Sequence, residues 1–202
     1  MRVPTGEAVG ARFNAAIEQI DAANAADPRR ESADGESHPV ELLYARRLTY
    51  WVERLAPDGS EELRVAARAL HIRRWLIPRD DYPTTRTAYH EWRDALRVLH
   101  AEHASEILAH VGYDEPTISR VRELIRRTTF PQDPESRIIE DAATLLFLEY
   151  QLDELAAKTE HATMLRLLRR AWRKLTPRGR ALVLCLQLSE ASTALCLEAI
   201  SG

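Results

Sequence analysis

The stretch LHIRRWLIPRDDYPTTRTAYHEWR, which begins at Leu70, holds the chain's densest run of chemically capable side chains. His71 is followed by Arg73, Arg74, Arg79, Arg86 and Arg93, interleaved with Trp75, Tyr82, Tyr89 and Trp92. Guanidinium forks hold phosphate oxygens through parallel N–H bonds and do so best in a partly desolvated cleft. Arg86, His90 and Arg93 stand four and three residues apart, so a helix places them on one face. The aromatic rings can stack on a nucleobase or on the guanidinium planes. The pattern predicts a site for a small phosphorylated ligand. Arg74, Arg79 and Arg86 would bind the phosphate and stabilise the charge that develops on it, and Arg73, Tyr82, Tyr89, His90 and Arg93 would add ligand contacts. The plainer account pairs Arg79 with Asp80 and Asp81, and Arg93 with Glu91 and Asp94, as solvated ion pairs worth little.

Two further residues draw notice by their surroundings. His71 lies in AARALHIRRW, on a segment that otherwise reads as core, where a lone histidine is more often a satisfied core residue than a metal ligand. Asp141 lies in RIIEDAATLLFLE, between isoleucines and an apolar run, and a buried carboxylate requires a cation, an arginine or a metal.

The elements that would position these groups are helical almost throughout, because apolar residues recur at spacings of three and four and alternating strand patterns are absent. A first helix over 10–26 ends in the polar loop DPRRESADGES. A second opens at Pro39 and runs to Leu55, and Ser60 caps a third, SEELRVAARALHIRRW. Pro78 and Pro83 make the arginine-aromatic stretch a helix end, an irregular loop and a new helix start. Helices over 85–110 and from Asp114 to about Phe130 follow. Asp133 and Pro134 then start one continuing through Lys158, and three more cover 160–175, 177–188 and 191–200. The expectation is an all-α chain of about nine helices in one domain over 1–202, with a core at about 38–158 and a C-terminal helical appendage at 160–202.

ALHIRRW and EDAATLLFL resemble two metal-binding segments of the HD superfamily of phosphohydrolases, and HAEHASEILAHVGYDEPTISRVRELIRRTTF is similar to its middle helices. The resemblance spans Glu41 to Lys158 and implies an HD-like core holding a divalent metal. His71 and Asp141 carry over as ligands, whereas Ile72 stands where the paired aspartate would be and Tyr44 where the first histidine would be. His38, Glu41 and Glu140 are the substitute ligands, with His100 and His103 as a second source, and such donors suit manganese, iron, magnesium or zinc. Nearly the whole chain also resembles an uncharacterised helical family of bacteria and fungi, some members of which carry a glutamyl-tRNA synthetase label. The chain has neither the nucleotide-binding signature nor the length for synthetase catalysis.

Composition narrows the partners. The formal charge of −3, with 29% charged and 45% hydrophobic residues, marks neither a nucleic-acid binder nor an acidic tail. RNA therefore ranks below a small phosphorylated ligand. Cys185 and Cys196 form no ligand or disulfide pattern, and no window of about 18 residues is apolar enough to span a bilayer. With no leader pattern at its N-terminus, the chain reads as cytoplasmic, without a membrane partner and compatible with a homo-oligomer. The expected function is metal-dependent hydrolysis of a small phosphorylated metabolite or nucleotide. The alternative is a degenerate HD-like scaffold that binds a ligand or a protein.

Overall fold

A computed structural model describes residues 6–201, so the N-terminal leader expectation falls partly on residues 1–5, outside the described residues. The chain runs α1 (Gly6–Ala25), a hairpin of β1 (Arg30–Ala33) and β2 (Glu36–Pro39), α2 (Val40–Leu55) and α3 (Glu61–Ala69). Two short 3-10 turns, Arg74–Leu76 and Arg79–Asp81, lead to α4 (Arg86–His110) and α5 (Glu115–Arg126). The remainder is α6 (Pro134–Tyr150), α7 (Leu152–Ala157), α8 (His161–Lys174), α9 (Pro177–Val183) and α10 (Glu190–Ser201). The protein is a single, mostly all-α domain.

Helix starts follow their caps. Ser60, Thr85, Asp114, Asp133 and Thr176 each accept a hydrogen bond from the backbone N–H three residues on. Each satisfies a donor that the helix itself leaves unpaired, a contribution of about 1 kcal/mol. Prolines in the first turn of α5, α6 and α9 cost no hydrogen bond there. The end of α5 is set by Arg127 at φ 60, well before the expected Phe130. The long helix expected through Lys158 breaks at Gln151 into α6 and α7.

Helices α2 and α3 pack together, α2 also lies on α6, and α5 packs on both α3 and α4. Ile20, Leu48, Leu63, Leu108, Leu124 and Leu145 are fully enclosed in the core between them. Met164, Leu168, Val183 and Cys196 belong to the same apolar cluster, so the C-terminal helices extend this core rather than stand apart from it.

Two departures from the sequence expectation matter for the site. The polar loop after α1 holds a two-stranded antiparallel hairpin with Ala33 opposite Glu36. Asp34 (φ 52) and Gly35 (φ 80) form its two-residue turn, and positive φ at both positions matches the strand twist. The third helix ends at Ala69, short of the expected Trp75, and the chain then turns through Arg73 at φ 53. His71 therefore sits in the turn beyond the helix. Among the described residues, no helix is long and apolar enough to cross a membrane.

Candidate functional site

The turn after α3, the N-terminal and middle turns of α4, the end of α5 and α6 line a cavity of about 320 Å³. That volume falls at the lower end of the range for small-molecule pockets. Leu96, Ile125, Ile139 and Phe147 give it an apolar part, and its other lining is rich in cations.

Arg74, Arg93, Arg97 and Arg127 all line this space. Arg93 and Arg97 are one turn apart on α4, whereas Arg127 arrives from the left-handed residue that ends α5. Arg74 lies with its guanidinium carbon 4.8 Å from the centre of the Trp92 ring. Trp92 is fixed in turn by its indole N–H, which donates to the Ile77 carbonyl at 3.0 Å. Burial lowers the Arg74 pKa below the ordinary value, a shift that the nearby Arg93 and Arg29 reinforce. Arg97 is shifted the same way, by burial and by the like charges of Arg93 and Arg127. These cations crowd one another, and an anion between them would relieve the repulsion.

Glu140 is the one carboxylate lining the cavity among the described residues. Arg127 and Lys174 of α8 both donate to it, the lysine at 2.9 Å. Burial would raise this carboxyl, but the two cations outweigh burial and hold it below the usual range.

Behind the arginines lies a carboxylate–imidazole pair. Glu41, on the first turn of α2, is 3% exposed and accepts from Arg29 Nη2 at 2.6 Å. Its other oxygen is 3.5 Å from His71 Nδ1. The His71 ring stacks on Tyr44, with centroids 4.0 Å apart and planes 12° from parallel. Arg74 Nη1 approaches the opposite ring nitrogen, Nε2, at 3.5 Å. Burial lowers the His71 pKa despite Glu41, so the imidazole is neutral at pH 7. For Glu41, the hydrogen bonds from His71 and Arg29 overcome burial and keep the carboxyl ionised. Beside His71, His100 is 2% exposed and donates Nδ1–H to the Ile72 carbonyl at 2.7 Å. Burial, reinforced by His71, pushes its pKa down to about 3.

The structure separates the residues singled out from sequence. His71, Arg74, Glu140, Tyr89 and Arg93 line the cavity, and Glu41 backs it. Arg79 instead closes its own loop, donating to the carbonyls of Tyr82 and Pro83 at 2.9 Å each. Arg86 and His90 are exposed on the first turns of α4. Neither they nor Arg73 and Tyr82 line the cavity. The cavity-lining face of α4 thus continues C-terminally from Arg93 to the cationic Arg97 and the neutral His100. The expected pairing of Arg93 with Asp94 is replaced by Arg97 with Asp94 at 2.8 Å.

The expected divalent metal finds no ligand set. Asp141 is buried, but it accepts from the backbone N–H and hydroxyl of Thr176 at the start of α9. Gly179 leaves the room for that contact, since a Cβ there would lie 2.6 Å from Asp141 Oδ2. The burial that suggested a metal ligand is therefore answered by hydrogen bonds. His38 lies on β2, 4.0 Å from Glu36, and Glu140 is already shared by two cations. Glu41, His71 and His100 remain near one another, but His100 gives its Nδ1–H to the Ile72 carbonyl, and Arg29 and Arg74 beside Glu41 would repel a cation. Among the described residues, no three His, Cys, Asp or Glu side chains group so as to hold a metal. The residues present do not fit a resident divalent cation.

Arg97 and Arg127 were not assigned to a site from sequence, whereas Trp92 was among the rings expected to stack on a guanidinium and lies against Arg74. The spacing of Arg93, Arg97 and His100 on one helix was a usable signal. Arg127 gave none, because its approach depends on how α5 ends. No protein of curated function and no solved structure matches the chain. One family does, a domain of unknown function, DUF4202, matched over residues 14–196. This match covers most of the chain, which therefore belongs to the DUF4202 family.

Proposed function

We propose that this protein binds a small phosphorylated metabolite or nucleotide in the arginine-lined cavity and acts on its phosphoryl group. The observation that carries this reading is the convergence of Arg74, Arg93, Arg97 and Arg127 on a cavity with, among the described residues, a single, already neutralised carboxylate. Partly desolvated guanidinium groups with mutual repulsion favour a multiply charged anion, and phosphate matches their fork geometry. The apolar wall of Leu96, Ile125 and Phe147 supports a ligand with a non-polar body beside its phosphate. A phosphohydrolase remains the reaction class, now without the metal, and a ligand-binding scaffold without turnover is the alternative.

Calorimetric titration with inorganic phosphate and with a nucleoside monophosphate tests the reading. Arg97→Met keeps the chain length and removes a charged hydrogen-bond donor worth roughly 1.5–3 kcal/mol, so phosphate affinity is expected to fall roughly 10- to 100-fold. Unchanged affinity in Arg97→Met and Arg74→Met would remove the cavity as the site. A steep salt dependence of RNA affinity, with no binding of small phosphates, would instead favour a nucleic-acid ligand.

A further inference from the structure

The arginines account for holding a phosphate, but they leave the carboxylate–imidazole pair behind them without a role. We infer that His71 Nε2 is a covalent phosphoryl acceptor, and that its donor carries a leaving group stable as an anion, an acyl phosphate or a phosphoanhydride. This rests on the phosphate-binding reading above.

Three features of the geometry support it. Glu41 Oε2 lies 3.5 Å from Nδ1, a looseness common at catalytic hydrogen bonds in unliganded sites, and this places the ring proton on Nδ1. The Nε2 lone pair then accepts from Arg74 Nη1 at 3.5 Å, a long contact that a phosphate drawn to the same guanidinium would replace, bringing its phosphorus to Nε2. Stacking on Tyr44 fixes the ring plane. The Glu41 carboxylate, ionised and bonded to Arg29, can also neutralise the cationic phosphoimidazole once it forms.

The donor class follows from the groups that line the rest of the cavity. Protonating an alkoxide leaving group requires an acid, and beyond Tyr44 the described lining offers only two hydroxyls for it: Tyr89, whose oxygen accepts from Arg93, and Thr144, whose proton goes to the Glu140 carbonyl. Glu140 is ionised and shared by Arg127 and Lys174. His100 gives its one ring proton to the Ile72 carbonyl, and Tyr44 is a stacked phenol whose pKa burial raises further. A carboxylate or phosphate leaving group needs no proton.

In the forward step the Nε2 lone pair forms the N–P bond while the bond from phosphorus to the leaving oxygen breaks. That oxygen departs with the bonding pair as an anion, and Nδ1 keeps its proton. Water then attacks phosphorus, the N–P pair returns to Nε2, and inorganic phosphate leaves with the surplus proton passing to solvent.

The probes are acetyl phosphate as the activated donor and glycerol phosphate as the alkyl ester. The wild-type chain is quenched in alkali during the first turnover and mapped by peptide mass spectrometry. One acid-labile, alkali-stable phosphoryl group is expected on the peptide containing His71. Acetyl phosphate should turn over at least roughly 100-fold faster than glycerol phosphate, the factor that a general acid would otherwise supply. Three results would sink the inference while leaving the binding reading intact if inorganic phosphate still binds. They are turnover without label, label on another residue, or neither label nor turnover. Equal rates for the two donors would overturn the leaving-group assignment. Failure of inorganic phosphate to bind would remove the binding reading itself.

Discussion

Replacing His100 with Asn should flatten the acid sensitivity of the fold. In an unfolded chain a histidine titrates near its ordinary value of 6.5, whereas burial holds His100 at about 3 in the folded protein. Above pH 6.5 both states are neutral, and the group adds no pH dependence. Below it the unfolded chain takes up a proton that the folded chain refuses, so stability is lost as pH falls toward the folded pKa. The slope is about 1.4 kcal/mol per pH unit, which amounts to about 3 kcal/mol between pH 6.5 and about pH 4.5. His71 and the carboxylates contribute to both proteins and largely cancel in the comparison. Asn retains an N–H able to reach the Ile72 carbonyl but cannot be protonated. Urea unfolding across this range should show the variant less stable than wild type at neutral pH, with a gap that closes by about 3 kcal/mol on acidification. A gap that stays constant, or widens as pH falls, would refute the assignment of His100 as a buried, permanently neutral imidazole.

Glu140→Gln should tighten inorganic phosphate binding severalfold, since it removes the one carboxylate among the described lining residues and frees Arg127 and Lys174. The same change should lower stability at pH 7. Because the cations depress the folded pKa of Glu140, that loss should shrink as pH falls below its ordinary 4.5 and vanish only once pH is below the folded pKa. Weaker phosphate binding in titration would contradict the charge argument. Gly179→Ala should destabilise the fold by about 1–3 kcal/mol, measured by denaturant unfolding, because its Cβ would press against the Asp141 carboxylate. Phosphate affinity should be unchanged in that variant, and a loss would restore Asp141 to the site. Ser60→Ala should cost about 1 kcal/mol by removing the cap on the Leu63 N–H.

The helical architecture was legible in the chain because its signals are local. Ser60, Thr85, Asp114, Asp133 and Thr176 cap helices that begin beside them, and apolar spacing settles which face turns inward. The hairpin had a local signal too, the Asp34-Gly35 pair, which polar strands without alternation obscured. A buried Asp141 was equally predictable from its apolar neighbours, but its partner was not. Thr176 lies 35 residues away, and nothing near Asp141 distinguishes a carboxylate that caps a helix from one that binds a metal. The same limit applies to the arginines. Which guanidinium groups meet depends on where α3 stops, how Arg127 ends α5, and that α8 brings Lys174 to Glu140. Sequence alone determined the helices and the supply of phosphate-binding groups near His71. Tertiary structure decided which groups share a cavity, because charge interactions depend on distance through space and local pattern reports only distance along the chain.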